Sequence, residues 1–162
     1  MDFRKPNRLK HFDYSQPGSY YVTVVTAKRR YLFGQISQGI VALSDAGRIA
    51  HAEWIAGAQI RERVVLDEFV IMPDHFHAVV TLPTSALCQE PTQSLSLGTI
   101  VGDFKRRCTK RIRQLRRDPD ATVWQRGYYD HVVRNTRDLE RIRRYIRNNP
   151  VAWSRDRGNR RR

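Results

Sequence analysis

Three short runs of this sequence hold residue types that could do chemistry. The first is Met72-Pro73-Asp74-His75-Phe76-His77-Ala78-Val79-Val80. In an extended strand, residues i and i+2 point to the same face. His75 and His77 therefore project together, and Phe76 faces the opposite layer. Two charged imidazoles side by side would repel, whereas two neutral ones can ligate a single divalent metal or bind phosphate. An ordinary pair of strand histidines has the same pattern. The second run is Arg141-Ile142-Arg143-Arg144-Tyr145-Ile146-Arg147-Asn148-Asn149-Pro150. At about 100° per helical residue, Asp138, Tyr145 and Asn149 fall on one flank of an apolar stripe, with Tyr145 and Asn149 at i, i+4. A tyrosine there is either a nucleophile or a rim residue of the core with its hydroxyl in water; spacing alone favours the rim. The third run, Trp124-Gln125-Arg126-Gly127-Tyr128-Tyr129-Asp130-His131, mixes aromatics with arginine. That mixture suits base stacking and phosphate contacts, yet Tyr128 and Tyr129 are equally ordinary strand residues.

The elements that must position these runs follow from periodicity. Residues 1–18 are polar and basic and read as an arm. Residues 20–27 are β-branched and aromatic, hence a strand. Residues 28–43 hold the basic turn Lys28-Arg29-Arg30 and a short irregular stretch. Ser44 followed by apolar positions 46, 49, 50, 54 and 58 predicts a helix over about 44–62. Residues 63–72 and 75–82 are two β-rich runs joined by Pro73-Asp74, a hairpin signal. Residues 83–94 read as a loop. Leu97, Ile100, Val101, Phe104, Cys108, Ile112 and Leu115 mark one face of a long helix, and its other faces are crowded with Lys and Arg without acidic relief. Residues 128–133 look like a short strand. Asn135 caps a final helix, and Pro150 is expected to end it. The order β-α-β-β-α-β-α implies an α+β fold: one antiparallel sheet covered by helices, in a ferredoxin-like arrangement. The reading is a single domain over 1–154 and a disordered basic tail over 155–162.

Charge narrows the class of partner. The chain of 162 residues carries 30 Lys and Arg against 16 Asp and Glu, a formal net charge of +14. Of the basic residues 25 are arginine and 5 are lysine. Arginine forks bind phosphate bidentately and stack on bases, so nucleic acid leads as partner. An anionic membrane fits less well, because the basic segments lack bulky apolar anchors. No apolar run of about 18 residues is present and the N-terminus lacks an apolar signal core, so a cytoplasmic, nucleoid-associated location is expected. Cys88 and Cys108 are too few for a disulfide scaffold; Cys108 falls on a core stripe.

Pro-Asp-His-Phe-His after a β-rich run, then Trp-Gln-Arg-Gly-Tyr-Tyr-Asp-His-Val-Val-Arg-Asn, then Arg-Tyr-Ile-Arg-Asn-Asn-Pro-Val, together resemble the REP-associated tyrosine transposases of the HUH superfamily. The resemblance covers roughly residues 7–153. It implies the HUH nuclease fold, His75 and His77 as metal ligands, Asn149 as third ligand and Tyr145 as nucleophile. It further implies Mg2+ or Mn2+ as cofactor, and single-stranded DNA and DNA hairpins as substrate, cleaved and rejoined through a 5′-phosphotyrosine. It leaves open a monomer or a homodimer: some relatives dimerise and donate the tyrosine helix to the partner's site, while REP-associated relatives can act as monomers. The basic residues expected on DNA are Arg4, Lys5, Arg8, Lys105, Arg106, Lys110, Arg126, Arg134 and Arg141, those near the N-terminus by likeness to a guide-reading region. Two rivals remain open at this point: a non-catalytic DNA- or RNA-hairpin-binding protein on the same fold, and a metal-dependent nuclease that uses water instead of Tyr145.

Overall fold

The computed structural model describes residues 12–61, 64–82 and 95–160. Strand β1 (Gly18–Val25) is the tyrosine- and valine-rich run, and most of it is buried on both faces. A single 3-10 turn follows at Ala27–Arg29. Next come β2 (Gly34–Ser37), β3 (Ile40–Leu43) and helix α1 (Asp45–Gln59). Strands β4 (Val65–Ile71) and β5 (His75–Leu82) lead to helix α2 (Leu97–Arg116). Strand β6 (Tyr129–Val132) and helix α3 (Thr136–Arg160) complete the order.

The main sheet runs β4-β5-β1-β6, and every neighbouring pair is antiparallel. With the β2–β3 ribbon set aside, the chain is β-α-β-β-α-β in the ferredoxin-like order, followed by α3. This is the α+β class that the sequence implies. Alternation along β1 and β5 divides the core into two layers. Tyr20, Val22, Val24, Phe76, Ala78 and Val80 pack with Trp54 of α1 and Ile100 and Phe104 of α2. Phe76 is the hinge of this layer, with ring centroids 4.8 Å from Trp54 and 5.0 Å from Phe104. On the other face Tyr21 and Val79 meet Ile142 and Ile146 of α3. Cys108 is buried in the first layer, as its stripe predicts.

Four expectations are corrected. Residues 34–43 are a β-ribbon rather than an irregular stretch. Its two-residue turn places Gln38 and Gly39 at φ 51° and 78°, the mirror-image turn that matches strand twist. Leu115 is exposed, one turn beyond the last buried stripe residue, Ile112. The basic helix has acidic relief from another element: Glu53 of α1 accepts from Arg107 Nε at 2.9 Å and Arg111 Nη1 at 2.8 Å. Finally, Pro150 lies inside α3, which continues to Arg160, so the backbone of residues 155–160 is helical and not an irregular tail. Proline removes one intrahelical hydrogen bond, but tertiary contacts hold the helix beyond it. Gly39 N–H donates to Ser154 Oγ at 3.0 Å, and the Trp153 ring packs 5.9 Å from Tyr31.

Candidate active site

The histidine pair is set by the β4–β5 turn. Met72 N–H donates to the His75 carbonyl at 2.8 Å, closing the turn around Pro73 and Asp74. The Asp74 carbonyl accepts from both the backbone N–H and the hydroxyl of Thr26 at 2.9 Å, which ties the turn to the end of β1. His75 and His77 then emerge on the α3 face with ring centroids 4.5 Å apart, and both are buried. Each ring has its Nδ1 engaged by the protein. His75 Nδ1 is 2.5 Å from Asp74 Oδ1. His77 Nδ1 is 2.7 Å from Tyr21 Oη and 2.9 Å from Thr23 Oγ1. Among the described residues no hydrogen bond engages either Nε2, and fixed outer partners of this kind orient histidine ligands. Burial pushes the His77 pKa well below its usual 6.5, with help from the neighbouring His75 and Arg29, so the ring is neutral. A neutral imidazole is the form that ligates a metal.

Helix α3 brings the tyrosine to this pair. Asn135 Oδ1 accepts from the Asp138 N–H at 2.9 Å, the expected cap. Ile142 and Ile146 seat the helix on Tyr21 and Val79. Arg143 clamps it to the sheet edge with two prongs on Asp67 of β4, Nε to Oδ1 at 2.9 Å and Nη2 to Oδ2 at 2.6 Å; Arg147 adds an ion pair to Glu68 at 3.2 Å. With the helix so placed, the Tyr145 ring lies 5.4 Å from His77 of the same chain. Two turns later the Trp153 ring lies 5.6 Å from His75. Asn149 is one turn from each, on the same helix face, and is buried. Along the helix, Asn149 thus lies between the two residues whose rings meet the histidines.

A groove of about 1020 Å³ borders the site and is lined by Asp138, Arg141, Arg144, Tyr145 and Asn149 among others. Of the basic residues expected on DNA, Arg134 and Arg141 line it. Asp138 is its acidic hub, accepting from His131 Nε2 at 2.8 Å, from the Arg134 backbone N–H at 3.3 Å and from Arg141. Burial raises the Asp138 pKa, but the hydrogen bonds from Arg141 and His131 outweigh it and bring the carboxyl to about 2. Lys105, Arg106, Lys110 and Arg126 line a different groove, of about 1040 Å³, between α2 and residues 117–126. Lys105 is turned toward the loop, donating to the Gln125 and Gly127 carbonyls at 2.8 Å each. Its ammonium holds that loop in place. Arg106 pairs with Asp103 at 3.2 Å. Arg4, Lys5, Arg8 and Cys88 lie outside the described residues.

Sequence reasoning missed Asp74, Tyr21, Thr23 and His131. Asp74 adjoins His75 in the chain and could have been read as its orienting carboxylate. The other three reach the site through strand register, Thr23 opposite His77 and Tyr21 opposite His131, which no local pattern reveals. Among the described residues, no three His, Cys, Asp or Glu side chains cluster to hold a metal. The implied ligand set relies on an amide for its third donor. No described helix is long and apolar enough to cross a membrane.

Comparison with known proteins agrees with this architecture. The sequence profile described as "Transposase IS200 like" matches residues 18–149, which contain the histidine pair, the tyrosine and Asn149. A Haemophilus influenzae protein described only as uncharacterized is 33% identical over 166 residues, covering 94% of this chain and 91% of its own length. A second protein of that organism, named "Putative REP-associated tyrosine transposase", is 25% identical over 145 residues, covering 86% and 73%. The solved structure of a REP-associated tyrosine transposase bound to a REP hairpin superimposes with a TM-score of 0.64 at 21% identity, covering 88% of this chain and 72% of that one, and so shares the fold. Matched across most of its length by that profile, the chain belongs to the IS200-like transposase family.

Proposed function

We propose that this protein cleaves and rejoins single-stranded DNA beside hairpins, using Tyr145 as the nucleophile. The observation that carries the reading is the packing of the Tyr145 ring on His77 within one chain, with Asn149 one turn further along. In the reaction the Tyr145 oxygen attacks a backbone phosphorus, the bond from phosphorus to the 3′ oxygen breaks, and that oxygen leaves with a proton as a 3′-hydroxyl. The strand remains attached as a 5′-phosphotyrosine. A second 3′-hydroxyl can reverse the step and join strands. The phosphoester energy is kept in the covalent link, so no nucleotide is consumed.

His75, His77 and Asn149 fit a divalent cation. The two rings are close, His77 is neutral, and each Nδ1 is already held by an outer partner. Mg2+ or Mn2+ held there would neutralise charge on the phosphate. The protein's own part is to orient the tyrosine at the edge of the groove. Arg134, Arg141 and Arg144 line the groove through which a phosphodiester backbone would approach. Because one chain brings tyrosine and histidines together, the site can work in a monomer. The hairpin carried by the structural relative is the substrate class this reading adopts.

The test is to incubate the protein with a single-stranded hairpin oligonucleotide and Mg2+ or Mn2+, then resolve protein from DNA under denaturing conditions. A covalent species is expected in wild type and absent in Tyr145→Phe. Salt-sensitive hairpin binding with no covalent species would support a non-catalytic binder. Cleavage that persists in Tyr145→Phe would support hydrolysis by water.

A further inference from the structure

A buried polar triangle lies directly beneath the site. Tyr21 is 1% exposed, yet its hydroxyl is 2.7 Å from His77 Nδ1 and 3.1 Å from Thr23 Oγ1. Thr23 Oγ1 is itself 2.9 Å from His77 Nδ1. The Tyr21 ring also meets the Tyr145 ring edge-on, with centroids 6.3 Å apart, and the two hydroxyls interact. Strand geometry explains the convergence. Tyr21 and Thr23 are i, i+2 on β1 and share its α3 face, and Thr23 stands opposite His77 on β5.

Counting hydrogens assigns the donors. A threonine hydroxyl has one hydrogen, and Thr23 donates it to Tyr21 Oη. The contact between Thr23 and His77 must then use a hydrogen from the ring. Nδ1 therefore carries the proton and Nε2 is bare. The same Nδ1–H faces Tyr21 Oη, so that contact needs no hydrogen from the phenol. The phenol hydrogen is left for the remaining neighbour, the Tyr145 oxygen. The chain runs in one sense, from His77 to Thr23 to Tyr21 to Tyr145, and hydrogen bonds in a chain of one sense reinforce one another.

We infer that Tyr21 is a positioning residue for the reaction proposed above: one buried hydroxyl both supports the tautomer that leaves His77 Nε2 bare and seats the Tyr145 oxygen. Tyr21 does not itself touch the phosphate. The part concerning Tyr145 rests on the proposed nucleophilic role, while the tautomer stands apart from it.

The experiment has two arms on the full-length protein. In the first, long-range nitrogen-proton NMR on the metal-free, DNA-free protein reads the His77 tautomer. Wild type should show Nδ1 protonated, Thr23→Val should shift the ring toward the other tautomer, and Thr23→Ser should restore it. An Nε2-protonated ring in wild type would overturn the inference. In the second, Tyr21→Phe removes only a hydroxyl and keeps the ring that packs on Ile142 and Ile146. Single-turnover adduct formation at saturating hairpin should slow about tenfold, the size expected for one lost hydrogen bond to the reacting oxygen, with hairpin Kd unchanged. A rate equal to wild type would contradict it. If Tyr21→Phe fails to fold, the Thr23 pair still decides the tautomer half of the inference, and an Nε2-protonated wild-type ring still overturns it. If wild type forms no adduct, the nucleophile reading falls, and the tautomer measured without DNA or metal still judges the inference.

Discussion

The two faces of the central sheet use the same strands for opposite ends. On the α1–α2 face, β1 and β5 present Val22, Val24, Phe76, Ala78 and Val80 to an apolar layer. On the α3 face, residues one step away on the same strands are Tyr21, Thr23, His75 and His77, which hydrogen-bond and meet Tyr145. A period-2 strand makes this possible, since each site residue is flanked by core residues that fix it. The lesson is that the site is rigid because it is half of a sandwich whose other half is the core. The cost is that site residues are buried polar groups, and every one must find a partner.

The comparison can be broken most forcefully at Phe76. Phe76→Ala removes the ring that joins Trp54 and Phe104 and should destabilise the fold by about 3–5 kcal/mol in urea unfolding. His77→Ala, one residue along, should abolish the DNA adduct while the protein still unfolds cooperatively. If both variants lose only stability, the division of labour between faces is wrong.

Asp138 sharpens the site-face half. Its folded pKa, about 2, lies below the ordinary carboxylate value, so it stabilises the fold above about pH 4. That contribution is lost as pH falls toward 2. Asp138→Asn should therefore cost about 1–2 kcal/mol at neutral pH, discounted for its solvent access, and progressively less on acidification. A difference from wild type that stays constant down to pH 2 would remove the ionised hub from the account.

The outer face of α2 should give the smallest effect. Arg106→Ala combined with Lys110→Ala should reduce the salt slope of hairpin binding by roughly 2, about one per phosphate contact, without altering the covalent step on bound DNA. An unchanged slope would make that groove a solvated surface.

How much of this was legible in the sequence depends on the range of the forces involved. His75 and His77 were legible because a strand repeats every two residues, and Tyr145 with Asn149 because a helix repeats near 3.6. The β4–β5 hairpin and the Asn135 cap were written in local residue types. The ribbon at 34–43 was missed although Gln38-Gly39 carries a short-turn signal, because its strands are only four residues long. The passage of α3 through Pro150 was illegible, since contacts from residues 110 or more positions away override the local break. The Lys105 contacts with the 125–127 loop, and the Glu53 bridge to Arg107 and Arg111, depend likewise on tertiary packing. The join between Tyr145 and the histidines was supplied by family resemblance, and the fold shows its physical basis in Ile142, Ile146 and the Arg143 clamp.

The central claim is that one chain builds the whole site. It is tested most directly by mixing His77→Ala with Tyr145→Phe in equal amounts, beside wild type, on hairpin DNA with Mn2+. Wild type should form a covalent adduct that maps to Tyr145, and the mixture should form none. An adduct restored in the mixture would mean that the tyrosine of one chain serves the histidines of another, and would contradict the account.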